Sequence, residues 1–103
     1  MIVKYIYDVV YDTLELLEEG GHTYSVAANQ LYEELFEQGK IINYSYVLNK
    51  ETLTRTATIT YKNIDAYQEH MNQFDAINDK TVVTGRRIAS YYLEDEFGIR
   101  LQV

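Results

Sequence analysis

Histidine is the side chain best suited to exchange protons near neutral pH, and the sequence contains two, His22 and His70. His70 is expected on a helix, one position away from the apolar stripe of that helix, which is typical of a half-buried, hydrogen-bonded residue. It is also the best single candidate for acid–base chemistry. His22 follows two glycines in a predicted loop. Because no second ligand stands at metal-binding spacing from it, we expect no metal site.

Other patterns that carry chemistry are absent from the sequence. The chain has no cysteine, which excludes a disulfide framework and a cysteine-based metal site. It has no glycine-rich phosphate loop and no nucleophile-elbow sequence. Three consecutive acids, Glu94, Asp95 and Glu96, have side chains that splay apart, so they predict a solvated turn and not a pair of catalytic carboxylates. We expect no bound cofactor.

The elements that must position His70 are clearest in the middle of the chain. Two runs, 41–48 and 53–61, alternate with a period of two residues and predict two strands. The segment Asn49-Lys50-Glu51 between them has turn chemistry, which predicts an antiparallel hairpin. After Asn63 the period changes to three and four, which predicts a helix that Asn63 caps and that ends near Ile77.

The remaining segments supply the other elements of the fold. Residues 1–11 alternate and predict a first strand, and a helix that Ser25 caps is expected to end at Gly39. A fourth strand is predicted over 81–93, bent at Gly85, and a short terminal strand over 97–103.

Residues 12–19 fit two structures. Asp12 and Glu15 could form a capping box that opens a short helix through Glu19, or the first strand could continue to about Leu17. We favour the strand or an irregular extension, because a helix of about seven residues is marginal alone.

The order βαββαβ predicts an α+β, ferredoxin-like fold in a single domain over 1–103. A four-stranded antiparallel sheet would carry two helices on one face, with a possible short extra C-terminal strand. We assign the tyrosine-rich sheet face to the helices because it is the more continuously apolar one. The residues expected in the core are Ala28, Leu31, Leu35, Tyr67, Met71 and Phe74, and Tyr32 and Phe36 belong to the same helical stripes.

The sheet face that the helices leave open predicts a homodimer, because it is apolar and β-branched. The alternation puts Ile41 on this side of its strand, together with Asn43, Ser45 and Val47. Asn43, Ser45, Thr56, Thr58 and one of Arg86 or Arg87 would then line a polar cavity between two sheets. Such a cavity would suit a small-molecule ligand.

The formal net charge of −7 belongs entirely to residues 1–39, which hold eight acids and a single base, Lys4. This predicts one acidic surface, either a solvated helix face or a docking site for a basic partner. Nucleic-acid binding is not expected, because the charge opposes it and the third strand lacks the RNA-recognition signature. No segment has the length and apolarity of a signal peptide or a membrane span, so we expect a cytoplasmic protein.

The segment from Tyr61 to His70, YKNIDAYQEH, resembles the strand-to-helix junction of dimeric α+β barrel proteins of the antibiotic-biosynthesis-monooxygenase type. The resemblance rests on an aromatic residue, a small polar cap, an alanine–aromatic pair and a helix histidine. Members of that family place an asparagine on the first strand and a tryptophan before the second helix. This chain has Tyr5 and Tyr7 near the first position and Tyr61 at the second, so only His70 matches.

Three interpretations of function follow. The first is a homodimeric binding or structural module that encloses a small ligand. The second, which the family resemblance implies, is a cofactor-independent or haem-dependent oxygenase that uses His70 and Tyr61 as catalytic residues. The third is an acidic docking protein for a basic partner.

Overall fold

The computed structural model of the protein describes residues 1–19, 26–78 and 85–102. The strands are β1 (Val3–Tyr11), β2 (Ile41–Asn49), β3 (Thr54–Tyr61), β4 (Arg86–Asp95) and β5 (Arg100–Leu101). The helices are α1 (Leu14–Glu19), α2 (Val26–Glu37) and α3 (Ile64–Asn78). All strand pairs are antiparallel, and the sheet order is β2-β3-β1-β4-β5. The ferredoxin-like α+β prediction is confirmed, with β5 as the extra terminal strand.

Local chemistry explains the β2–β3 hairpin and the start of α3. The side-chain Oδ1 of Asn49 accepts hydrogen bonds from the backbone N–H groups of Glu51 and Thr52, at 3.0 and 3.2 Å, which closes the turn. Asn63 caps α3, since its Oδ1 accepts a hydrogen bond of 2.9 Å from the backbone N–H of Ala66. Both features were predicted. Among the described residues, no helix is long and apolar enough to cross a membrane.

The helix α2 ends as predicted, whereas its start lies outside the described residues. The helix stops at Glu37, and Gly39 follows with a φ of 74°, the left-handed conformation that glycine adopts without a steric penalty. The predicted cap Ser25 and the first part of the predicted fourth strand, 81–84, are not among the described residues. Gly85 is the first described residue after residue 78, and it has a φ of 78° immediately before β4.

The preference for an extended conformation over residues 12–19 was wrong, because Leu14–Glu19 is helical. Thr13 begins this helix, since its Oγ1 accepts a hydrogen bond of 3.2 Å from the backbone N–H of Leu16. Leu17 is fully buried against Val9 and Tyr11 of β1. The short helix is therefore stabilised by tertiary packing, which its local sequence does not reveal.

Two irregularities in the sheet overturn the predicted alternation. A register shift between Ile41 and Asn43 pairs Ile41 with Tyr61, so Ile41 is buried on the helix side and not on the open face. A second shift, opposite Asp8 and Val9 of β1, falls at Ala89 of β4. Arg86 therefore lies on the helix side of the sheet, as Leu93 does, whereas Arg87 lies on the open face.

The helices pack against the tyrosine-rich sheet face, as predicted. Of the expected core residues, Ala28, Leu31, Leu35 and Tyr67 are buried, while Met71 and Phe74 are half-buried and pack against the same cluster. Phe36 is the exception: it is exposed, because one further residue along α2 rotates its side chain away from the sheet.

The predicted solvated turn at 94–96 was also wrong in one respect, because Asp95 is buried. Its Oδ1 accepts hydrogen bonds from the backbone N–H groups of Phe97 and Ile99, at 2.8 and 2.9 Å. Since these donors hold the carboxylate, Asp95 closes the tight turn that returns the chain as β5.

Candidate functional site

A cleft of about 500 Å³ opens between the helices and the sheet face that they cover. All three helices and the strands β1 to β4 contribute side chains to its wall. It lies between two hydrophobic clusters: a larger one under α2 and α3, and a smaller one where Leu17 of α1 packs on Val9 and Tyr11. Tyr7 packs against both clusters and lines the cleft.

Aromatic side chains form a large part of the wall of the cleft. It includes five tyrosines: Tyr5, Tyr7, Tyr32, Tyr44 and Tyr46. Alternation along β1 and β2 places tyrosines two residues apart on one face, which lets their rings meet: Tyr5 and Tyr7 stack with centroids 4.8 Å apart, and Tyr44 and Tyr46 lie 6.0 Å apart. The result is a space with flat aromatic sides.

Tyr61 and His70 form a hydrogen bond of 2.6 Å between the tyrosine hydroxyl and His70 Nδ1. Tyr61 ends β3, and the capped first turns of α3 bring His70 back over it. The hydroxyl has no other hydrogen-bond partner among the described residues, and Tyr61 is completely buried. The hydroxyl therefore donates to Nδ1, because the reverse assignment would leave its proton unbonded in the interior.

Burial sets the protonation of this pair. Desolvation lowers the pKa of His70 to about 4, so its imidazole is neutral at physiological pH. Desolvation, with smaller contributions from Tyr5, Tyr67 and Tyr32, raises the pKa of Tyr61 well above its usual value. With Nδ1 accepting from Tyr61, the neutral ring carries its proton on Nε2, and the ring lines the cleft.

Arg55 of β3 is a charged residue within the aromatic wall. It is only 8% exposed, and its guanidinium carbon lies 4.7 Å from the ring centroid of Tyr46 and 5.9 Å from that of Tyr11. Within the described ranges, its buried Nε has no hydrogen-bond partner. The ion pairs found in that part of the chain join Lys40 to Glu69 and Lys50 to Glu18, and neither involves Arg55.

The residues predicted as site residues fall into two groups. Tyr61, His70 and Arg86 belong to the helix side of the sheet, and His70 and Arg86 line the cleft. The others lie on the open face of the sheet, away from the cleft: Asn43, Ser45, Thr56, Thr58 and Arg87. Sequence reasoning missed Arg55 as a site residue. The available signal was a single charge in the apolar series Leu53, Ala57, Ile59 and Tyr61 of its strand face.

The open face carries hydroxyls and charges of both signs. Asp8 at its centre accepts hydrogen bonds from the hydroxyls of Thr56, at 2.6 Å, and Ser90, at 3.1 Å. The other charged side chains on this face are Lys4, Arg87, Glu94 and Arg100. The acids of α1 and α2 whose side chains are described, Glu15, Glu18, Glu33, Glu34 and Glu37, are exposed on the opposite side of the molecule. Within the described ranges, no group of three or more His, Cys, Asp or Glu side chains could hold a metal ion.

The fold is similar to several solved structures. MupZ from Pseudomonas fluorescens superposes with a TM-score of 0.65 and 12% identity over 91% of this chain and 71% of MupZ. A dimeric ferredoxin-like protein from an uncultured marine organism gives 0.63 and 15%, over 92% and 94% of the two chains. A putative antibiotic biosynthesis monooxygenase from Bacteroides thetaiotaomicron gives 0.50 and 15%, over 91% and 86%.

These likenesses confirm the fold-level resemblance predicted from the sequence. At such low identity they show the fold alone. No protein-family model matches the chain, and no curated protein matches it in sequence.

Proposed function

We propose that the protein is a small-molecule-binding module that holds a planar, largely apolar organic ligand in the cleft between its helices and its sheet. The observation that carries this proposal is a cleft of about 500 Å³ walled by five tyrosines. Ligand sites typically have volumes of about 300–1,000 Å³, with apolar and aromatic walls and a few polar groups that fix orientation. Flat tyrosine faces favour a ring system, since stacked and edge-on aromatic pairs add to the free energy of burial.

The proposal is tested by fluorescence titration with N-phenylnaphthylamine, a neutral aromatic probe. We expect saturable binding with an affinity that falls at least ten-fold in Asn29→Trp, because Asn29 is an exposed residue of α2 that lines the cleft. Gln30→Trp, on the same helix but outside the cleft lining, is the matched control and is expected to bind normally. Equal binding by all three proteins would place the probe elsewhere and contradict the proposal.

One observation favours an enzymatic alternative: the Tyr61–His70 hydrogen bond lies at the wall of the same cleft. A neutral His70 with its proton on Nε2 is a hydrogen-bond donor that can orient a ligand oxygen. It is poorly suited to ligate haem iron through Nε2, because that would require Nδ1 to carry the proton and would leave the buried Tyr61 hydroxyl without an acceptor. We therefore expect haemin to show no Soret shift that depends on His70, with His70→Ala as the comparison.

The open sheet face supports a second part of the proposal, a homodimer formed through that face. Four strands of about six residues, at ~3.3 Å rise and ~4.8 Å spacing, present roughly 400 Å². Two such faces together with the strand edges approach the ~1,000 Å² of a specific interface. The face bears charges of both signs in a chain whose net charge is −7, so it can meet its own copy without strong repulsion. Val47, 72% exposed, adds apolar surface to it.

Light scattering coupled to size exclusion tests the dimer. We expect a mass of twice the 12.1 kDa of one chain, and a monomer for Thr58→Lys, which would bury an uncompensated charge between the sheets. Gln30→Lys, which adds the same charge on exposed helix surface, is expected to remain a dimer. A monomeric wild-type protein at micromolar concentration would overturn this part of the proposal and leave the cleft unaffected.

A further inference from the structure

We infer that the ligand of the cleft carries an anionic oxygen group, such as an aromatic carboxylate or sulfonate, and that the guanidinium of Arg55 binds it. This inference rests on the proposed ligand-binding function and adds to it the chemical class of the ligand. Its starting point is a charge in the interior of the molecule that the described part of the chain does not neutralise.

An arginine as buried as Arg55 is almost always paired with an acid, because removing its charge from water is costly. Here the pairing is missing from the described residues, and the buried Nε lacks a hydrogen-bond acceptor as well. A buried, unsatisfied donor costs about 1–3 kcal/mol, and more when it is charged. An anion bound in the cleft would supply the missing counter-charge, and the Nη groups of the guanidinium would donate to it.

The contact between Arg55 and Tyr46 is compatible with anion binding. The ring of Tyr46 meets the guanidinium at 4.7 Å, which holds the side chain in place. The two Nη groups of a guanidinium donate in its plane, so its outer edge can engage a carboxylate or sulfonate through two parallel hydrogen bonds. Tyr46 thus acts as a positioning residue for Arg55.

Among the described residues, the acids that line the cleft do not form an ion pair with Arg55. Glu18 and Asp75 also line the cleft, but Glu18 lies 3.5 Å from Lys50 and Asp75 is exposed to solvent. Arg86 lines the cleft too. An otherwise acidic protein therefore concentrates two arginines at one aromatic pocket, which is the combination that a planar acid would recognise.

Two probes that differ only in the anionic group test the inference: anilinonaphthalene sulfonate and N-phenylnaphthylamine, which has the same ring skeleton without the sulfonate. We expect the wild-type protein to bind the sulfonate about ten-fold or more tightly than the neutral probe, as a charge-assisted hydrogen bond to a buried arginine provides. Arg55→Met should abolish this preference with little change for the neutral probe. Arg55→Lys, which keeps the charge but not the paired donors, should retain part of it.

The chain offers a matched control in Arg100, whose guanidinium lies 4.2 Å from the ring of Tyr92 but which is exposed on the opposite face of the sheet. Arg100→Met should leave both affinities unchanged. A wild-type protein that shows no preference for the sulfonate, or a preference that survives Arg55→Met, overturns the anionic class. If neither probe binds, or if Asn29→Trp weakens neither, the cleft itself is not the site and the proposed function fails together with the inference.

Discussion

The two faces of the sheet are built from the same strands, yet they differ in every property that matters for binding. The face under the helices carries large aromatic rings and is mostly buried. Its two arginines, Arg55 and Arg86, line the same cleft as His70 of α3. The open face carries threonines, serine hydroxyls and charges of both signs, all at least partly accessible. Period-two alternation lets one set of strands supply a ligand-sized cavity on one side and a self-complementary surface on the other.

This difference between the two faces indicates which side chains contribute most to the stability of a single chain. Packing on the helix side should determine the stability of one chain, whereas side chains of the open face should matter mainly when two copies meet. Changes on the two faces should therefore separate into stability effects and assembly effects.

The largest expected contrast is between Leu31→Ala and Val47→Ala. Leu31 is 5% exposed between α2 and the sheet, so its truncation leaves a cavity and should lower the free energy of unfolding by about 2–5 kcal/mol. Val47 is 72% exposed on the open face, and its truncation should cost less than about 0.5 kcal/mol at low protein concentration. Denaturant unfolding at two protein concentrations measures both. Similar losses at the two positions would show that the faces are misassigned.

Much of this contrast was predictable from the sequence, and the parts that were not share a physical cause. Alternation and helical periodicity identified the tyrosine-rich face and the capped helix α3, and the family resemblance named Tyr61 and His70 together. The errors arose where tertiary contacts override local pattern: Leu17 stabilises a helix too short to stand alone, and the register shift between Ile41 and Asn43 places Ile41 on the helix side. A bulge adds one residue to a strand without any compositional signal, so alternation counted across it is reversed.

The cleft could not be foreseen for a related reason. The strand pattern shows that Arg55 interrupts an apolar face, but it does not show that α2 and α3 leave space above that residue. The sequence-based argument therefore placed the ligand at the open face, where polar residues are numerous, and named only His70 and Arg86 among the residues that line the cleft.

The second expected effect concerns His70 and depends on pH. Its pKa is about 4 in the folded protein and about 6.5 in an unfolded chain, so between these values the unfolded state binds a proton that the native state does not. Stability should fall as the pH is lowered from about 6.5 to 4, by up to roughly 3 kcal/mol from this residue, and its contribution should be constant above pH 6.5.

The measurement compares the wild-type protein with His70→Phe, so that the carboxylates, which also titrate in acid, cancel in the difference. The advantage of the wild-type protein over the variant should shrink as the pH falls through that window. An NMR titration of the native protein provides a direct check, because the His70 ring should stay neutral down to about pH 4. Native titration near pH 6.5 would mean that the ring is solvated and that its bond to the Tyr61 hydroxyl is not maintained.

The smallest expected effect is the most informative one, and it comes from Arg55→Met in the absence of ligand. If Arg55 were a structural residue, its loss would destabilise the protein by about 1–3 kcal/mol, as the removal of a buried polar contact does. An unpaired buried charge behaves differently, because methionine fills a similar volume without the desolvation cost and forfeits only the cation–π contacts with Tyr46 and Tyr11. We therefore expect the free energy of unfolding to change by less than about 1 kcal/mol, or to rise.

Addition of anilinonaphthalene sulfonate should stabilise the wild-type protein, and the gain in the free energy of unfolding should grow with the logarithm of the ligand concentration above Kd. The same ligand should stabilise the Arg55→Met variant much less. The ligand should thus raise the stability of the wild-type protein relative to that of the variant, which a purely structural arginine would not produce.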